Sequence, residues 1–179
     1  MRLFHVSEES NISEFIPRTP TRYDLDKSIK LVWAIDERRL PNFLTPRNCP
    51  RVAYYAGENT AASDKDKFFS SSAVSHAVVI ENQWFEKMKS TTLYLYEFDE
   101  KDFVLQDSIA GYYVAKTPQT PKAKHELTDL FSELITRNVE IRMVDNLWDI
   151  AEKIVKSTLN WSFCKMDFAK PPHKINKNL

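Results

Sequence analysis

The sequence predicts an α+β fold, on three observations. Two stretches near the end carry apolar residues at the spacing of one helix face. The middle of the chain is rich in short apolar and aromatic runs, and these runs do not alternate regularly with helices. Leu127, Leu130, Phe131, Leu134 and Ile135 recur at i, i+3, i+4, i+7 and i+8, and Leu147, Ile150, Ala151, Ile154 and Val155 repeat the pattern. Residues 92–98 are apolar or aromatic at almost every position, the mark of a strand buried on both faces. Without a β-α-β alternation, mixed or antiparallel sheets are expected rather than a doubly wound parallel one. The expected central strands are 2–6, 31–35, 92–98 and 139–144, with helices 127–135 and 147–155 packed on the sheet.

Taken in order, residues 2–6 form the first strand and residues 11–15 a short helix or turn closed by Pro17. Residues 19–30 are polar and read as a loop. The run 31–35 is short enough for a buried strand. Asp36 then looks like the N-cap of a short helix ended by Pro46. Residues 51–55 are the next strand, 59–69 a weak helix, and 76–80 a further strand. Asn82 opens a short helix burying Trp84, Phe85 and Met88. Strands at 103–106 and 109–115 flank the Asp107-Ser108 turn. Asn146, with Asp149 three residues on, resembles a capping pair for the last helix. The expected division is one α+β domain over 1–164 and a flexible basic tail over 165–179, where lysines and adjacent prolines leave little to bury.

Composition excludes several classes. Only Gly57 and Gly111 occur in 179 residues, where average usage of about 7% gives roughly a dozen. Glycine-rich dinucleotide and phosphate loops need several, and no Gly-x-Ser-x-Gly elbow is present. Twenty-five basic and 25 acidic side chains cancel, so no global field steers the chain onto nucleic acid or an anionic membrane. Cys49 and Cys164 form no Cys-x-x-Cys pair. With no signal-like segment and no apolar run of membrane-spanning length, the expectation is a soluble cytoplasmic protein with reduced thiols. His5, His76, His125 and His173 are scattered without ligand spacing, so no metal site is expected.

Four groups of residues could carry chemistry. His5 lies in mid-strand between apolar neighbours, where a histidine is either a core residue with one satisfied nitrogen or a functional group. Three Pro-Arg dipeptides present Arg18, Arg47 and Arg51 from turns of fixed direction. An arginine held that way grips a phosphate or carboxylate, or else pairs with a nearby acid. Tyr54-Tyr55 and Tyr112-Tyr113 put one ring on each side of a strand, so one of each pair can face a cleft. Glu97 is an acid inside a central strand, and there it needs a cation partner or a cavity.

Leu3-Phe4-His5-Val6-Ser7-Glu8-Glu9, Leu31-Val32-Trp33-Ala34-Ile35-Asp36, Pro46-Arg47-Asn48-Cys49-Pro50-Arg51-Val52 and Val144-Asp145-Asn146-Leu147-Trp148 resemble an uncharacterised bacterial family of unknown function. More remotely, Leu3-Phe4-His5-Val6-Ser7 resembles the first strand of ADP-ribosyltransferase-like domains. Val32-Trp33-Ala34 resembles a later segment of them. Residues 94–103, followed by Tyr112-Tyr113-Val114-Ala115 and Pro118, resemble their late strand pair. This resemblance implies an ADP-ribosyltransferase-like fold with NAD or another nucleotide in a cleft around His5. It implies that His5 contacts a ribose and that Tyr54 or Tyr55 stacks on the nicotinamide. Arg18, Arg47 and Arg51 are the candidate phosphate contacts.

The late-strand glutamate of such domains is replaced here by Tyr112, and a neutral phenol cannot stabilise positive charge developing on the ribose. The candidate catalytic set is therefore His5, Glu97 and Tyr112, with Glu97 the one carboxylate that could substitute. No cofactor follows from the residues themselves, and NAD enters as a candidate substrate. The alternative is a non-catalytic ligand-binding or interaction domain that keeps the fold. Nucleic acid and membrane partners are not expected, and the sequence does not define an oligomeric state.

Overall fold

The computed structural model describes residues 1–20 and 25–173. Part of the predicted loop at 19–30 and the last six residues of the predicted tail lie outside the described residues. In chain order the strands are β1 (Leu3–Ser7), β2 (Val32–Asp36), β3 (Arg51–Tyr55), β4 (His76–Glu81), β5 (Leu93–Phe98), β6 (Val104–Asp107), β7 (Tyr112–Ala115), β8 (Ala123–Leu127), β9 (Glu140–Val144) and β10 (Asn160–Cys164). The helices are α1 (Ala62–Phe68), α2 (Phe85–Ser90), α3 (Leu130–Thr136) and α4 (Trp148–Ile154), with short 3-10 turns at Leu40–Phe43, Asn82–Trp84 and Met166–Phe168. The architecture is α+β, built on two sheets. The chain divides into two compact units.

The first unit comprises Met1–Leu44 and Thr91–Asp129. Its six strands run in the order β6-β7-β2-β1-β5-β8, and every neighbouring pair is antiparallel. The register pairs Leu3 with Phe98, His5 with Tyr96 and Phe4 with Glu97, while Ile35 pairs with both Phe4 and Tyr112. Because side chains alternate across a strand, one face carries Leu3, Val32, Ala34, Tyr96, Phe98 and Ala115. These cluster with Phe103, and Ile12, Phe15, Tyr94 and Tyr113 pack around them. Phe4, Glu97, Ile35 and Tyr112 belong to the other face. The β6–β7 connection is closed by the Asp107 carboxylate, which accepts the Ile109 and Ala110 amides at 3.0 Å. Gly111 follows at φ 69°, where a side chain is disfavoured.

The second unit comprises Thr45–Ser90 and the chain from Leu130 onward. Its sheet runs β10-β3-β4-β9, with β4 and β9 parallel and the other pairs antiparallel. The two inner strands are buried at every residue, which explains their almost unbroken apolar sequence. Val52, Tyr54, Ala77 and Val79 form one core with Phe68 and Phe69, with Leu147, Ala151 and Ile154 from the α4 region, and with Leu159. Of the predicted periodic face, Leu147, Ala151 and Ile154 are buried and Ile150 partly so, while Val155 is exposed.

Several local expectations change. Residues 11–15 are not helical: Phe15 exchanges backbone hydrogen bonds with Gln119 instead (2.9 and 3.0 Å). The helix read from Leu127 starts at Leu130, because Leu127 ends β8. Both β8 and β10 escape the pattern. In β8 the sequence Ala-Lys-His-Glu-Leu has no apolar alternation, since its middle three residues are exposed. The strand predicted at 139–144 is β9, and it lies at a sheet edge rather than at the centre. Residues 165–173, expected to begin a loose tail, are tied to the second unit. The Lys170 amide donates to Glu81 (3.0 Å), and Trp148 Nε1 and Asn146 Nδ2 donate to the carbonyls of Lys170 (2.9 Å) and Pro171 (2.8 Å). No helix among the described residues is long and apolar enough to cross a membrane.

Candidate functional site

His5 is half-buried on the clustered face of the first sheet. Its Nδ1 lies 3.0 Å from the Trp33 carbonyl oxygen. A carbonyl only accepts, so Nδ1 carries the proton and Nε2 of the neutral ring is an acceptor. Burial pushes the imidazole pKa below its ordinary value, and the positive charge of Arg18 pushes it the same way against the Trp33 hydrogen bond. The ring is therefore neutral at pH 7. Phe15 packs on it with ring centroids 4.7 Å apart. Phe15 in turn meets Tyr96 at 5.2 Å and Phe98 at 5.1 Å, both edge-on.

The segment that brings Phe15 and Arg18 to His5 is irregular but anchored. Beyond the Phe15–Gln119 bridge, Arg18 exchanges backbone bonds with Leu31 at 3.0 and 2.9 Å. The Arg18 side chain is exposed, and no carboxylate among the described residues pairs with it. His5 offers one hydrogen-bond acceptor beside the Phe15 ring, and the exposed Arg18 guanidinium acts on it electrostatically.

Glu97 belongs to a different arrangement on the opposite face. Arg2 donates to it twice, Nε to Oε1 at 3.1 Å and Nη2 to Oε2 at 3.0 Å. Lys122 Nζ lies 3.3 Å from Oε1, and His125 Nε2 lies 3.4 Å from Oε2. The Arg2 hydrogen bonds, helped by those of Lys122 and His125, hold the carboxyl at about 2 against the opposing effect of burial. Both oxygens are already engaged. Arg2 also pairs with Glu37 and lies over the Phe4 ring, 4.8 Å from its centroid.

Tyr112 shares the Glu97 face, wedged edge-on between Trp33 (5.2 Å) and Phe43 (5.6 Å). The charge of Arg18 thus reaches His5, while Glu97 and Tyr112 lie on the reverse of the same sheet. The remaining candidates belong to the second unit. Arg47 is exposed on the turn before β3, next to Asn48 at φ 64°. Arg51 is buried, and its Nη1 donates to the Cys49 carbonyl at 3.1 Å. Tyr54 is core: its hydroxyl donates to the Phe68 carbonyl at 2.8 Å, and burial pushes its pKa up to about 12. Tyr55 is buried with its ring 5.8 Å from that of His76.

Three participants were not marked by the sequence. Arg2, Lys122 and His125 converge on Glu97 only through the β1–β5–β8 register, which no local pattern encodes. Among the described residues no group of three or more His, Cys, Asp or Glu side chains could hold a metal ion.

Residues 4–169 match a family of unknown function, DUF6886. The chain belongs to that family. The match runs from the first strand to beyond β10 and so takes in His5, Arg18, Glu97 and Tyr112, while the family brings no activity with it. No curated protein and no solved structure matches the chain.

Proposed function

We propose that this DUF6886 protein is a ligand-binding protein that takes a nucleotide or related phosphorylated ribose compound beside His5 and Arg18, and that it does not cleave that ligand. The observation carrying this reading is the division of the candidate residues between two faces of one sheet. His5 Nε2 is a neutral acceptor suited to a ribose hydroxyl, and the exposed Arg18 guanidinium suits a phosphate. Glycosidic cleavage would need a carboxylate near the same ribose to stabilise positive charge. Glu97 projects from the opposite face, saturated by Arg2, Lys122 and His125. The nucleotide class, with NAD as the first candidate, rests on the resemblance of the first strand to ADP-ribosyltransferase-like domains.

The test is calorimetry with NAD, AMP and ATP, alongside chromatographic assay of nicotinamide release from NAD. The expected result is saturable binding without release. His5→Ala and Arg18→Ala should each weaken binding by roughly tenfold or more, the scale of one charge-assisted or well-placed hydrogen bond. Absence of binding by all three nucleotides would remove the nucleotide reading. Catalytic release of nicotinamide that is lost in Glu97→Gln would restore the transferase reading.

A further inference from the structure

His5, Tyr96 and Lys124 form one row across three strands. His5 on β1 pairs with Tyr96 on β5, which pairs with Lys124 on β8. Over this row runs the irregular segment Glu8–Phe15, and each member of the row touches it. Tyr96 is almost fully buried in the apolar cluster, and both hydrogen bonds of its hydroxyl go to this segment. The hydroxyl donates to the Glu9 carbonyl at 2.6 Å and accepts the Ile12 amide at 3.1 Å. Lys124 Nζ donates to the Ser10 carbonyl at 2.7 Å. Phe15 lies on the His5 ring. A phenylalanine at 96 would fill almost the same volume without needing polar partners, so the phenol's distinct contribution is the pair of bonds that hold the segment down.

We infer that Glu8–Phe15 is a strap over His5, latched by the Tyr96 hydroxyl and the Lys124 ammonium, and that its opening controls access to the His5 imidazole. The inference rests on the proposed role of His5 for its purpose, though the motion is measurable without any ligand. Three features fit a reversible closure. The segment has no helix or strand of its own, its latches at Tyr96 and Lys124 are single side chains, and the ring packed on His5 is one aromatic side chain. A segment without a helix or strand of its own opens more readily than the sheet beneath it. With Nδ1 committed to Trp33, Nε2 is the ring atom left for a ligand, and Phe15 stands against that ring.

Carbethoxylation of histidine by diethyl pyrocarbonate tests this. Neutral imidazole nitrogen attacks the reagent's carbonyl carbon, and the ethyl carbonate leaving group departs as carbon dioxide and ethanol once protonated. Peptide mass mapping follows His5 labelling, with the exposed His173 of the same molecule as the reference. Tyr96→Phe should accelerate His5 labelling about tenfold, the scale of two neutral hydrogen bonds, and leave His173 unchanged. Phe15→Ala should accelerate it further. Lys124→Met, an exposed change that keeps the core intact, should give a smaller acceleration and serves if either core variant is unstable. Faster amide exchange across β1, β2 and β5 as well would report unfolding of the first unit, and Lys124→Met would then decide the matter. Unchanged His5 labelling in the folded variants would overturn the strap. A strap that opens in a protein binding no nucleotide would overturn only the proposed function.

Discussion

Arg2 grips both carboxylate oxygens of Glu97 across the β1–β5 pair, at 3.1 and 3.0 Å. Glu97 is 7% exposed, while the Arg2 side chain keeps 47% of its surface in water. The cation therefore loses little hydration, and the acid receives two directed donors. Fork geometry of this kind is the strong form of an ion pair. It accounts for an acid within an inner strand.

Removing the fork should be felt in acid. The Glu97 carboxyl has a folded-state pKa of about 2 against an ordinary 4.5. A depressed carboxyl contributes stability that is fully present above the ordinary value and lost as pH falls through the folded one. Unfolding free energy should therefore decline between about pH 4.5 and pH 2. Glu97→Gln should flatten that decline, measured by urea unfolding at a series of pH values. Arg2→Ala should cost about 1–3 kcal/mol at neutral pH, the range for hydrogen bonds to a charged group. An acid limb unchanged in Glu97→Gln would show that other carboxylates set it.

His5 gives a second, separate window with the opposite chemistry. Its pKa is lowered from 6.5, first by burial and then by Arg18. Below about pH 6.5 the unfolded chain takes up a proton that the folded ring resists, so stability falls as pH drops from there toward the folded value. His5→Asn retains a donor for the Trp33 carbonyl but cannot titrate, and it should remove this slope. The two unfolding curves are to be compared between pH 7 and pH 5. Superimposable slopes would mean that His5 is no less basic folded than unfolded.

What was legible in the sequence divides by the range of the interaction. The helical spacing at 127–135 and 147–155 located α3 and α4, and the apolar runs located β1, β2, β3, β4 and β5, because burial writes itself into local pattern. Even the need of Glu97 for a cation was readable from its place in a strand. Its partner was not, since Arg2 and Glu97 are distant in sequence and meet only through register. Nor could the sequence tell which face each side chain takes: Phe4 and His5 are neighbours, yet the pleat sends them to opposite sides. Strand β8 was missed because its Lys-His-Glu centre is exposed and follows no apolar period.

The two glycines should respond unequally to alanine. At Gly111, φ is 69° and an added Cβ would come 2.5 Å from Arg39 Cγ and 2.9 Å from Asp36 Oδ1. Asp36 Oδ1 is meanwhile occupied by the Arg39 amide at 2.8 Å, so the neighbours have little room to shift. Left-handed backbone for a non-glycine residue costs about 1–2 kcal/mol before any clash. At Gly57 the close atom is the Asn160 side-chain nitrogen at 2.4 Å, the end of a chain that can swing away. Gly111→Ala should accordingly lower the melting temperature more than Gly57→Ala. The reverse order would mean that the Asn160 contact is the less yielding of the two.

A chain ending at Cys164 should be markedly less stable than the full one, although composition made this region look dispensable. Glu81 is fully buried, and its two oxygens accept the Lys170 amide at 3.0 and 3.2 Å, with Gln83 Nε2 donating to Oε2 at 2.6 Å. Truncation removes the amide and leaves a buried carboxylate with the Gln83 donor. It also strips the acceptors from Trp148 Nε1 and from Asn146 Nδ2, and it takes away Met166 and Ala169, which pack against the second unit's core. Each buried polar group left without a partner costs about 1–3 kcal/mol, so the loss of acceptors at Trp148 Nε1 and Asn146 Nδ2 together should lower the unfolding free energy by about 2–6 kcal/mol. A loose tail would change it by no more than about 0.5 kcal/mol, as for ordinary surface substitutions. Urea midpoints of the two chains separate these outcomes. Lys170→Pro isolates the Glu81 contact, since proline lacks the amide hydrogen. Equal midpoints for all three proteins would return the segment to the status of a tail.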